Sequence, residues 1–106
     1  MIRMVAVGRV RPGVTKEQIE EALQALRQLR VKGLNHTMAS GIDLGLREGN
    51  ASFAITADIK GEEGISDEDA YRLWDRDSEH WRIRAKYFRP ILIDGLAHKV
   101  QFSIPD

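Results

Sequence analysis

Residues 2–10, IRMVAVGRV, alternate with a period of two: Ile2, Met4, Ala6, Gly8 and Val10 lie on one side, Arg3, Val5, Val7 and Arg9 on the other. This is a strand with both faces apolar at its centre. Val5 and Val7 would be wasted on a sheet face open to water, so the pattern calls for a cover on each side of the sheet. No other stretch restricts the fold as much.

The rest of the chain supplies one cover. Pro12-Gly13 breaks the strand, and Thr15 with Gln18 makes a capping box while Val14 and Ile19 are spaced as a hydrophobic staple. The helix they start carries Ile19, Ala22, Leu23, Leu26 and Leu29 in one apolar stripe and is predicted to end at Lys32-Gly33. Residues 34–42 read as a weaker strand, and a turn at LREGN leads into a third strand. There Ala51, Phe53, Ile55, Ala57 and Ile59 form the stronger face. Gly61 and Gly64 close it. Ser66 followed by Asp67, Glu68 and Asp69 is an acidic helix start, with Ala70, Leu73 and Trp74 as its expected buried side. Asp77 or Ser78 restarts the helix, which runs through Trp81, Ala85 and Phe88 until Pro90 stops it. A last strand alternates Val100, Phe102 and Ile104 with Lys99, Gln101 and Ser103.

Strand, helix, strand, strand, helix pair, strand is the order of a ferredoxin-like α+β fold, a four-stranded antiparallel sheet with helices on one face. Its other face stays bare. At 106 residues the chain forms a single domain, 1–106, so the missing cover must come from outside it. A second copy is the simplest source, because two-fold pairing buries the same patch on each partner. A homodimer is expected.

Charge and composition narrow the function. Sixteen basic and sixteen acidic residues cancel, which leaves no electrostatic footprint for nucleic acid or an anionic membrane. The absence of cysteine removes disulfides, thiolate nucleophiles and iron–sulfur clusters. Arg3, Arg9 and Arg11 interrupt any secretory core and no run reaches spanning length, so a cytoplasmic protein without membrane contact is expected. His36, His80, His98, Asp58 and Asp94 do not pair at ligand spacing, so no metal is assigned, and Gly41, Gly45 and Gly49 lack the context of a phosphate loop. No cofactor is expected.

The segment DAYRLWDRDSEHWRIRAKYFRP gathers Tyr71, Trp74, Trp81, Tyr87 and Phe88 around His80. Such aromatics line a cavity for a flat or apolar ligand, or simply cover the sheet. His80 is correspondingly an acid/base or a packed helix-start residue. Arg82, Arg84, Lys86 and Arg89 read as solvated charge.

The chain resembles the stress-responsive alpha/beta-barrel (Dabb) family, whose members are dimeric ferredoxin-like proteins with two sheets packed into a barrel. MIRMVAVGRVRPGVTKEQIEEALQAL is similar to the family's strand, Pro-Gly-Val turn and helix, GIDLGLREGNASFAITADI to its central hairpin, and SEHWRIRAKYFRP to its histidine-bearing helix. In members with polyketide cyclase activity the histidine matched by His80 is an acid/base. A second histidine stands where this chain has Met4, and a tyrosine where it has Trp74. The resemblance implies a pocket between helices and sheet lined by Met4, Phe53, Trp74, Trp81 and Phe88, with His80 and Tyr71 as the chemistry-bearing pair. Three functions follow: a dimeric protein binding a small apolar or aromatic molecule, a cofactor-independent cyclase or isomerase using His80, or a stress-protective structural oligomer.

Overall fold

A computed structural model describes residues 1–106, apart from the side chain of Leu96. Four strands, β1 (Ile2–Val10), β2 (Asn35–Ile42), β3 (Phe53–Lys60) and β4 (Leu92–Ser103), form one antiparallel sheet in the order β2-β3-β1-β4. Helices α1 (Lys16–Arg27), α2 (Asp67–Arg76) and α3 (Ser78–Ile83) cover one face, and a π-helical turn, Arg84–Phe88, continues α3. The ferredoxin-like α+β reading therefore holds. Among the described residues no helix is long and apolar enough to cross a membrane.

Local signals place the helices. The Thr15 hydroxyl accepts from Gln18 N while the Gln18 side chain accepts from Thr15 N, closing the capping box. Ser66 caps α2, and Asp77 ends α2 and caps α3 by accepting from Glu79 N and His80 N. Helix α1 stops at Arg27, a turn before the predicted Lys32-Gly33, yet Leu29 beyond it is still buried. Strand β4 begins at Leu92, seven residues before the predicted Lys99, because Asp94 and Gly95 hold positive φ (57° and 67°) within the strand rather than ending it.

The core joins Ile2, Met4 and Ala6 of β1 with the inward residues of β3 and the apolar faces of α1 and α2. Gly8 is opposite Phe53 in the register, and a Cβ at Gly8 would run into the Phe53 ring and Leu92 Cδ2. The ring that needs this space comes from the neighbouring strand β3. Leu73 is a correction: it points outward from α2 and is 53% exposed, one residue out of phase with buried Trp74.

The helix-free face carries rows set by strand register. Thr56, Val5 and Val100 stand side by side, as do Ala54, Val7 and His98, and Asp58, Arg3 and Phe102. Val100 is 55% and Phe102 46% exposed. The apolar face of the last strand thus points away from the helices, and Lys99 and Gln101 point toward them.

Candidate functional site

A cavity of about 310 Å³ opens between the helical layer and strands β1, β3 and β4 of the sheet. Its apolar wall is Met4, Ala6, Phe53, Ile55, Phe88 and Leu92, and its polar side is Tyr71, Asp75, His80, Arg84, Arg89 and Lys99. An apolar body with a few convergent polar groups is the usual make-up of a small-molecule site, and this volume lies at the small end of their range.

His80 is 3% exposed, the one polar or charged side chain among the buried residues described. Its Nδ1 lies 3.0 Å from Trp74 O. A carbonyl only accepts, so Nδ1 carries the proton and donates it, and Nε2 holds the free lone pair. The imidazole stacks at 4.3 Å on the Trp74 ring. Arg84 Nη2 lies 3.4 Å from Nδ1, where donor faces donor, so Arg84 acts on the imidazole through its charge rather than a hydrogen bond. Burial first, with Arg84 and Lys99 adding to it, brings the His80 pKa down to about 4, against an opposing effect of the Trp74 carbonyl and Asp75. At neutral pH the cavity therefore contains an uncharged imidazole, an acceptor or a general base.

Asp75 holds Arg84: Nη2 donates to Asp75 Oδ1 at 2.5 Å and to Asp75 O at 3.2 Å. The Tyr71 hydroxyl accepts from Gln101 Nε2 at 2.9 Å, and burial raises its pKa. Lys99 is largely solvent-exposed, yet desolvation of its amine beside the cavity, then the charge of Arg84, lowers its pKa.

No family model and no curated protein matches the chain, whereas solved structures do. A dimeric ferredoxin-like protein of unknown function from Thermobifida fusca is 33% identical over 97% of this chain and 90% of its own, with a TM-score of 0.77. A Dabb family protein with a ferredoxin-like fold from Mesorhizobium loti is 11% identical, with coverages of 99% and 97% and a TM-score of 0.69. The chain belongs to one family with the dimeric ferredoxin-like protein from Thermobifida fusca, and it shares the ferredoxin-like fold with the Dabb protein. A hydroxynitrile lyase from Passiflora edulis, 16% identical over 99% of this chain and 94% of its own with a TM-score of 0.72, shares the fold.

In this ferredoxin-like chain Met4, Phe53, Tyr71, Trp74, His80 and Phe88 all reach the cavity. Trp81 does not. It lies one residue, about 100° of helix, from His80, is 51% exposed, and has the Arg89 guanidinium over its ring at 5.8 Å. Tyr71 shares the cavity with His80, but its hydroxyl pairs with Gln101 rather than the imidazole. His36 is half-buried near the start of β2 and accepts from Val31 N through Nε2 at 3.1 Å. His98 sits in mid-strand on the helix-free face. Sequence reasoning passed over Asp75, Arg84 and Lys99. The signal for Arg84 was its spacing, since His80, Arg84 and Phe88 recur every four residues on one face.

The buried imidazole makes stability depend on pH. Between pH 7 and 5 the unfolded chain takes up a proton at a histidine of ordinary pKa 6.5, and the folded protein, with His80 near 4, refuses it. Stability therefore falls as the pH falls, by about 2 kcal/mol over that interval. Burial lowers His36 in the same direction. Urea unfolding at the two pH values should show the drop in the wild type, and His80→Gln should remove more than half of it.

Proposed function

We propose that this protein is of the Dabb type, a cytoplasmic homodimer that holds one small apolar or aromatic molecule per protomer between its helices and sheet. The observation that carries the reading is the cavity itself, apolar along β1 and β3 and closed at one end by a buried, neutral His80 with Nε2 unpaired among the described residues. Dimerisation is supported by the apolar helix-free face and by the dimeric ferredoxin-like relative from Thermobifida fusca. A purely structural oligomer would have no use for a polar-ended cavity in its core.

Binding is favoured over catalysis by what surrounds His80. It is the one imidazole of the cavity, Met4 is apolar where cyclases of the family carry a second histidine, and Asp75 is already engaged by Arg84. A second reading, a cofactor-independent lyase, cyclase or isomerase, rests on the His80 tautomer, which leaves Nε2 ready to take a proton from a bound carbon or oxygen acid. The Passiflora edulis protein named a hydroxynitrile lyase shares only the fold, so it lends that reading no residue.

Indole is a suitable neutral probe. Titration calorimetry should find saturable binding at one site per protomer, and Ala97→Phe, which places a ring in the half-buried cavity wall, should weaken it at least tenfold. Binding untouched by that substitution would put the ligand elsewhere. Deuterium exchange into the α-carbon of phenylacetone, present in the wild type and absent in His80→Gln, would promote the catalytic reading.

A further inference from the structure

We propose that the cavity selects small amphipathic carboxylates, aryl or short alkyl acids whose apolar body lies against Phe53 and Phe88 and whose carboxylate is held at the opening by Arg84 and Lys99. This rests on the small-molecule reading above and adds the class of molecule.

The polar side of the cavity has a surplus of donors. Arg84 is fixed by Asp75 through Nη2 alone, and its Nε and Nη1 have no partner among the described residues. Its side chain is 22% exposed, so the free edge of the guanidinium is partly desolvated and already oriented. Lys99 faces the helices from β4, opposite Ala6 of β1, and makes no ion pair among the described residues. The Tyr71 hydroxyl accepts from Gln101 and keeps its own proton to donate. Against these stand two acceptors, His80 Nε2 and the already engaged Asp75.

Charge gives the same answer. Arg84, Lys99 and Arg89 against Asp75 leave two positive charges in the lining of a mostly apolar cavity, in a chain whose total charge is zero. Arg89, the other cation of the lining, has its guanidinium over Trp81. A positive surplus beside an apolar wall suits an anion with an apolar body, which an aryl or short alkyl carboxylate supplies. Lys99 is lowered first by desolvation and then by the charge of Arg84, with Asp75 opposing. A ligand carboxylate beside these cations would offset their repulsion.

Calorimetry with phenylacetate, 2-phenylethanol and 2-phenylethylamine, three probes of similar shape and different charge, tests the proposal at low ionic strength. The acid is expected to bind about tenfold or more tighter than the alcohol, with the amine weakest. Lys99→Gln should cost the acid about tenfold and leave the alcohol unchanged, while Asp75→Asn should tighten the acid. Equal affinity for acid and alcohol, or an acid preference that survives Lys99→Gln, overturns the carboxylate assignment and leaves the cavity reading intact. If none of the three binds, the cavity reading falls with it.

Discussion

Val5→Asp is expected to convert the protein from a dimer to a monomer, with sedimentation giving the 12.0 kDa protomer in place of twice that mass. Val5 stands at the middle of the helix-free face, between Thr56 of β3 and Val100 of β4. In a separate protomer the new carboxylate points into water and disturbs nothing beneath it. In a two-fold pair it is buried, and symmetry buries it twice, so the cost is at least about 3 kcal/mol, a hundredfold or more in the dimer dissociation constant. Leu73→Asp is the control, because Leu73 is equally apolar and 53% exposed but lies on the outer side of the helical layer. It should leave the dimer intact. A Val5→Asp protein that stays dimeric at micromolar concentration would mean that the sheets do not pair through this face.

How much of this could be read from residues alone depended on whether the feature was periodic. The strand over residues 2–10 and both helix starts follow from alternation and capping chemistry, which are local and survive any tertiary arrangement. Leu73 and Trp81 were misplaced because an aromatic-rich helix offers several apolar stripes, and only packing decides which one meets the sheet. Once Trp74 and His80 are buried, their neighbours at 100° must turn outward. The orientation of the last strand was out of reach for a different reason. Alternation separates Val100 and Phe102 from Lys99 and Gln101, but which set faces the helices is fixed by register with β1, where Val100 aligns with Val5. That register also puts Lys99 at the cavity, so the same unknown hid half of the anion-holding pair. Arg84 was lost in a run of four basic residues in which Arg82 is indeed a surface partner of Glu79, and its own role depends on Asp75, nine residues back across the α2–α3 junction.

Trp74→Ala should cost about 3–5 kcal/mol of stability, the largest loss expected from a single truncation in the helical layer. Trp74 is 1% exposed, one of the largest fully buried side chains, and its ring meets His80 at 4.3 Å, Tyr71 at 5.8 Å and His36 at 6.5 Å. Truncation empties the space between α2 and the sheet and removes the stacking partner that excludes water from the His80 imidazole. Two effects should appear together. Unfolding in urea, at fixed protomer concentration because association adds to the measured value, should show the lost stability. The same titrations at pH 7 and 5 should show a shallower pH dependence, since a hydrated His80 regains much of its ordinary pKa. Trp74→Phe separates packing from polarity. Trp74 Nε1 is a buried donor with no partner among the described residues, and deleting it removes a desolvation penalty of about 1–3 kcal/mol while a six-membered ring keeps most of the contact. The phenylalanine variant should therefore lose less than half of what alanine loses. If the two variants are equally damaged, Nε1 has a hydrogen-bond partner in solution whose loss offsets the desolvation gain.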